Sequence, residues 1–240
     1  MIVWLASYPR SGNTLTRTLL HQVFGLLSHS QHNDPIIGSA QQVSAIVGHL
    51  PFNGEWAETR CRLQADTGLH VVKTHAPPTE DASAIYVVRD GRAALVSHRL
   101  YLQRLHGQAY SLRQLSDATH PMLDWSGHLD RWNPLRRPGT LVLRYEDILD
   151  APGRIIALLA SFLGRSPMRA WVNPFDTLNC LMPDFFRRAS NAANIAEWQQ
   201  EDLAAFQARH GSWMRALGYD DAAPASFMSG ITPAFTERQA

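Results

Sequence analysis

Ser7-Tyr8-Pro9-Arg10-Ser11-Gly12-Asn13-Thr14 follows an apolar run, Ile-Val-Trp-Leu-Ala at residues 2–6, and precedes a segment where Leu15, Leu19, Leu20, Val23 and Phe24 recur at helical spacing. The run is too short and too rich in β-formers for a helix, so it predicts a buried strand. The unit is strand, loop, amphipathic helix. At such a junction the first helical N–H groups and the helix dipole face the loop and create an anion site. Set against the nucleotide-binding pattern G-x-x-x-x-G-K-[ST], Gly12 and Thr14 match, Ser7 replaces the first glycine, and Asn13 replaces the lysine that reaches the β/γ-phosphates. Arg10 brings a cation onto the arch of the loop instead.

Further strands are predicted at residues 70–74, 84–88 and 140–144, all nearly continuous in apolar residues, as central strands of a parallel sheet are. Helical patterns lie between and after them, at residues 40–50, 92–104, 122–132, 154–163 and 200–217. Alternating strands and helices predict an α/β fold with a central, mostly parallel sheet flanked by helices. No internal repeat or linker divides the chain, so residues 1–221 are expected to form one domain. The Ala/Ser/Pro/Thr-rich residues 222–240 are expected to form a mobile tail.

The 240 residues carry 22 Lys+Arg against 21 Asp+Glu, and Lys73 is the one lysine among the 22. A formal charge of +1 gives no diffuse positive field for nucleic acid or an acidic membrane, so neither is an expected partner. Hydrophobic content of 45% with 18% charged residues is globular, with enough chain for a full core. Cys61 and Cys180 form no metal-ligand pattern, no metal is expected, and both read as free thiols of a reducing compartment. With no basic leader and no membrane-length apolar stretch, a cytoplasmic location is the expectation.

The stretch SYPRSGNT after an amino-terminal strand resembles the 5′-phosphosulfate loop of sulfotransferases that use 3′-phosphoadenosine 5′-phosphosulfate (PAPS). VVKTH (71–75), YVVRDGRAALVSH (86–98) and LRYEDIL (143–149) match the same family in order, and FFRRASNAANIAEW (185–198) does so more loosely. The resemblance implies a P-loop-like sulfotransferase fold and transfer of a sulfuryl group from PAPS to a hydroxyl, giving adenosine 3′,5′-bisphosphate (PAP) without a metal. It places the 5′-phosphate at Ser11, Gly12, Asn13 and Thr14, with Arg10, where the family commonly has lysine, near the bridging oxygen. Arg89 and Ser97 would hold the 3′-phosphate, and Arg187 or Arg188 would close over it. Tyr145 would lie near the adenine, with Leu15 in place of a stacking tryptophan and Phe175 as a second contact.

In the same resemblance His75 is the general base and Lys73 approaches the sulfuryl oxygens. An imidazole titrates in the range that suits a base near neutral pH. Two other readings stay open: a P-loop kinase using ATP and magnesium, and a nucleotide-binding protein without turnover. The acceptor is expected to be a small molecule bearing a hydroxyl, of the phenol or natural-product kind. Phe52, Trp56, Tyr101, Tyr110, Trp125, Phe185 and Phe186 are the candidates to line its pocket. The family's dimerisation signature is not evident, so the oligomeric state stays open.

Overall fold

The structure, a computed structural model, describes residues 1–120, 122–187 and 195–219, so Arg188 and the expected tail at 222–240 lie outside the described residues. Five strands run β1 (Ile2–Ser7), β2 (Ser28–Ser30), β3 (His70–Thr74), β4 (Ala84–Val88) and β5 (Thr140–Arg144). The helices are α1 (Asn13–Phe24), α2 (Pro35–Ser39), α3 (Gln41–Val47), α4 (Trp56–Ala65), α5 (Gly91–His106), α6 (Leu112–Ser116), α7 (Trp125–Trp132), α8 (Tyr145–Asp150), α9 (Pro152–Leu163), α10 (Phe175–Leu181) and α11 (Gln200–Ala216), with a 3-10 turn at Ile195–Glu197 before the last.

The strands form a single sheet in the order β2-β3-β1-β4-β5, every pairing parallel. Side chains of a strand alternate between faces, and the core divides accordingly. Ile2, Trp4 and Ala6 of β1 join Val72, Tyr86, Val88 and Val142 beneath α5, α7 and α11. Val3 and Leu5 join Val71, Ile85, Val87, Leu141 and Leu143 beneath α1 and α9. A smaller cluster of Ile37, Val43, Val47, Leu178 and Phe185 packs α2 and α3 against α10.

The four predicted strands form as expected. The edge strand β2 is new: Ser-His-Ser has no apolar signal, and it is buried because the Arg17 side chain of α1 donates to Ser28 Oγ at 2.8 Å. Helix α7 begins three residues later than predicted, where the Asp124 carboxylate accepts the Gly127 N–H and caps it. Ends of all five parallel strands lie on one edge of the sheet. On that edge a doubly wound fold gathers its ligands.

Candidate active site

Each strand delivers a functional group at its carboxyl end. β1 opens into the loop at residues 8–12, β2 leads to Asp34, β3 carries Lys73 and releases His75, β4 releases Arg89, and β5 releases Tyr145. Among the residues lining one cavity of about 800 Å³ are Arg10, Gly12, Asn13, Thr14, Leu15, Asp34, Lys73, His75, Arg89, Ser97, Tyr145, Phe175 and Arg187. The expected catalytic and donor-binding positions therefore converge, with one exception within the described residues. Ser11 is buried behind the loop and does not reach the cavity wall. Asn13 reaches it, but its side-chain amide turns inward and donates to the Leu5 carbonyl at 3.1 Å and to Ser7 Oγ at 3.3 Å. Asn13 braces the loop and leaves its backbone for a ligand.

Gly12 caps α1 with φ 109°, and neither a side-chain cap nor a first-turn carboxylate serves that helix end. Its leading N–H groups have no intrahelical partners, which is the anion-binding condition. A β-carbon at Gly12 would lie 2.7 Å from Tyr145 Cδ2, so only glycine allows the loop to approach that ring. Arg10 has φ 63°, an unusual conformation for arginine that turns its side chain off the arch. Its guanidinium donates to the Phe185 carbonyl at 2.7 Å, sits 4.4 Å from the centre of the Phe185 ring and 5.1 Å from that of Tyr101, and has Nε 3.5 Å from Ser97 Oγ. Burial lowers the Arg10 pKa to about 10, Tyr101 opposing and Arg89 and Arg187 adding to the effect, so it remains charged at neutral pH.

Arg89 donates to the Arg10 carbonyl at 3.1 Å and lies 4.3 Å over the Tyr145 ring. Helix α5 starts two residues after Arg89, which puts Ser97 two turns along and on the same cavity wall. Arg10, Arg89, Arg187 and Lys73 bring four cations to a wall whose carboxylates are Asp34 and Glu197. The donor set suits a ligand with several negative charges.

His75 Nδ1 lies 2.7 Å from the Ser7 carbonyl oxygen. A carbonyl only accepts, so Nδ1 carries the proton and Nε2 keeps its lone pair. Burial first, and the Lys73 charge second, hold the His75 pKa well below the usual imidazole value, which keeps the ring neutral at pH 7. The turn that carries it is gripped from α7: His128 Nε2 donates to the His75 carbonyl at 3.1 Å and Trp132 Nε1 to the Ala76 carbonyl at 2.9 Å. His128 Nδ1 in turn accepts the Tyr86 hydroxyl at 2.6 Å.

Three participants were not read from the sequence. Asp34 Oδ2 accepts from Lys73 Nζ at 3.0 Å and from Arg17 at 2.9 Å, and although burial raises its pKa the two cations hold it below the ordinary aspartate value. Burial lowers the Lys73 pKa, with Asp34 opposing. The signal for Asp34 was Asp-Pro at a helix start, which reads as a cap and hides the charge. His98 closes the stretch YVVRDGRAALVSH without a role of its own there, and His128 had no sequence signal beyond being a histidine. Of the expected acceptor aromatics, Tyr101, Tyr110, Phe185 and Phe186 line the cavity. Phe52 and Trp56 instead pack on His29, on Trp4 and on each other, and Trp125 is core against Phe206. Among the described residues no cluster of His, Cys, Asp or Glu could hold a metal ion, and no helix is long and apolar enough to cross a membrane.

A parallel α/β sheet, a helix without a side-chain cap behind a phosphate-sized loop and four converging cations define a P-loop-like fold whose cavity suits a polyanion. The family can be stated: the chain belongs to the sulfotransferase domain family, whose model matches residues 2–179. Solved structures share the fold. A mouse sulfotransferase complexed with PAP superposes with a TM-score of 0.64 at 14% identity, covering 89% of this chain and 83% of its own. A retinol dehydratase in complex with androsterone and inactive cofactor PAP gives 0.57 at 19% identity over 95% and 83%, and the same enzyme with retinol and PAP gives 0.57 at 19% over 93% and 83%.

Proposed function

We propose that this chain transfers a sulfuryl group from PAPS to the hydroxyl of a small-molecule acceptor, leaving a sulfate ester and PAP. The observation that carries the reading is His75: its Nδ1 proton is committed to Ser7, so a neutral imidazole presents Nε2 to the cavity beside Lys73. PAPS, as donor substrate, supplies the activated sulfuryl group. The 5′-phosphate belongs at the open N-terminus of α1, with Gly12, Asn13 and Thr14, and the 3′-phosphate with Arg89, Ser97 and Arg187. Tyr145, Leu15 and Phe175 form the wall for the base.

His75 Nε2 takes the acceptor proton as the acceptor oxygen bonds to sulfur and the bond from sulfur to the bridging oxygen breaks. Lys73 and Arg10 stabilise negative charge on the sulfuryl and bridging oxygens as cations in a site of low dielectric. Arg10 must leave Phe185 and Ser97 to do so, and an exposed ligand anion is a stronger partner than a carbonyl and a ring face. Androsterone and retinol, held by the retinol dehydratase, are small hydroxyl-bearing molecules, which favours an acceptor of that size here. With Asn13 where the nucleotide-binding loop has lysine, and its amide committed to the Leu5 carbonyl, a kinase reading lacks the loop cation for the γ-phosphate.

The test incubates the protein with PAPS and pooled phenols, sterols, sugars and peptides, and reads products heavier by one SO3. Parallel reactions hold ATP and magnesium. Sulfated small molecules without added metal are expected. Phosphorylated products, or tight PAP binding with no product from any pool, would overturn the reading.

A further inference from the structure

One buried imidazole in the cavity has no place in the transfer just described. His98, on α5, is 3% exposed, and its Nδ1 lies 2.9 Å from the Tyr8 hydroxyl. That hydroxyl also lies 2.9 Å from the Leu123 carbonyl oxygen. Tyr8 has one proton, and two oxygens at that separation without a proton between them repel, so the proton goes to Leu123. Tyr8 must then accept from His98, which places the ring proton on Nδ1. His98 Nε2 is left with a lone pair. Among the described residues nothing donates to it, yet the residue lines the cavity.

The nearest cation does not take it up, because Arg10 is engaged with Phe185 and Ser97. Protonation does not remove the lone pair either, since burial, with the charge of Arg10 second, brings the His98 pKa down to about 3. Water can serve that lone pair while the cavity is empty, but a ligand that displaces the water without bringing a donor leaves the acceptor unpaired. The location says which ligand. Tyr8 lies edge-on to both His98, at 5.4 Å between ring centres, and His128, at 6.1 Å, and His128 holds the His75 carbonyl. His98 thus belongs to the His75 side of the loop, with Tyr101 as its ring neighbour at 6.3 Å, and not to the wall of Leu15, Tyr145 and Phe175.

Resting on the sulfotransferase reading, we propose that His98 Nε2 accepts a hydrogen bond from a second hydroxyl of the acceptor, so that the substrate class is aromatic diols and polyphenols. Two neutral imidazoles, His75 and His98, each with Nδ1 committed to the protein, then face one substrate. The first removes a proton and the second selects by holding one. A methyl ether or an unsubstituted ring at the second position leaves His98 unpaired, and such a site rejects an analogue lacking the donor more strongly than it rejects an added methylene.

The test measures binding to the PAP-saturated protein of matched sets: resorcinol, 3-methoxyphenol and phenol, and 4,4′-dihydroxybiphenyl, its mono-methyl ether and 4-hydroxybiphenyl. PAP affinity is titrated separately. The wild type is expected to prefer the dihydroxy member of at least one set by about five- to tenfold, the size of one buried neutral hydrogen bond. His98→Phe should reduce that ratio to near one with PAP affinity intact, and His98→Gln, whose amide oxygen can still accept, should retain part of it. Should His98→Phe fail to fold, 15N-histidine spectra of the wild type replace it, where the dihydroxy ligand and not the ether must shift the Nε2 resonance of His98. A wild type with no preference or no binding to any member, or a His98→Phe protein that keeps the preference, would overturn the proposal. Failure to bind PAP would instead strike the sulfotransferase reading, and the same ligand sets run without nucleotide would still decide the role of His98.

Discussion

In the proposed transfer His75 can serve as a base because a main-chain carbonyl, not a carboxylate, fixes its tautomer. The Ser7 oxygen holds the Nδ1 proton without adding a charge that would raise the ring's pKa, and burial beside Lys73 keeps the ring neutral. His75→Ala is therefore expected to lower kcat by about 10²- to 10⁴-fold while PAP affinity, read by calorimetry, stays put. Lys73 and Asp34 are a different case, since their roles are joined. Lys73→Arg would place a broad fork where a compact ammonium meets Asp34 Oδ2, and a fall in kcat of about tenfold or more is expected, with KM for PAPS little changed. Asp34→Asn leaves the wholly buried Arg17 without its counter-charge, and about 3–5 kcal/mol of stability should go with it in a urea titration. Residues at strand ends were legible one by one because a motif fixes their place along the chain. Asp34 was not, because its role depends on Arg17 and Lys73 arriving from α1 and β3, and no spacing in sequence records that meeting.

Helix α7 has one face in the core and another on the turn after β3. His128 and Trp132, four residues apart and so on one side of the helix, donate to the carbonyls of His75 and Ala76 in turn. The helix acts as a clamp that sets the height of His75 above the sheet. His128→Leu fills a similar volume but leaves the His75 carbonyl and the Tyr86 hydroxyl without partners, so some stability should be lost while kcat falls by about ten- to a hundredfold, the loss that a displacement near 1 Å produces, with KM for PAPS unchanged. His128→Gln, which can donate to the same carbonyl, should recover much of it. A structural defect alone would move Tm and KM in both variants and show no recovery. The helix itself was predicted from its apolar spacing, and its start was misplaced because Asp124 acts as a cap only once the Gly127 N–H folds back onto it. Elements with a strong apolar period were readable in this way. The strand Ser28–Ser30 was not, since its burial comes from Arg17 and from pairing with β3.

The sequence holds 11 histidines, and only His75 carried a signal, yet several others decide how the molecule responds to acid. Burial lowers the pKa of His98 and His128 to about 3 and that of His210 to about 4, and all three stand on the α5, α7 and α11 side of the sheet. In the unfolded chain each would titrate near 6.5. Below that pH the unfolded state binds more protons than the folded one, so stability is complete above pH 6.5 and is lost as the pH falls toward the folded values. Each ring forfeits roughly 1.6 kcal/mol between pH 6.5 and 5, about 5 kcal/mol for the three, which approaches the lower end of an ordinary domain's whole stability. The activity should therefore disappear in acid together with the near-UV circular dichroism, at a common midpoint, because His75 stays neutral for as long as the fold survives. An activity that fell near pH 6.5 with the dichroism intact would mean that His75 protonates in the folded protein. His210→Gln gives an independent check, since His210 bonds to Ser116 and Ser126 far from the loop, and an amide can keep the donation to the Ser116 carbonyl. That variant should work normally at pH 7.5 and flatten the acid slope of stability by the share of one proton, at most about 1.4 kcal/mol per pH unit, while His29, His49 and His75, lowered as well, keep theirs.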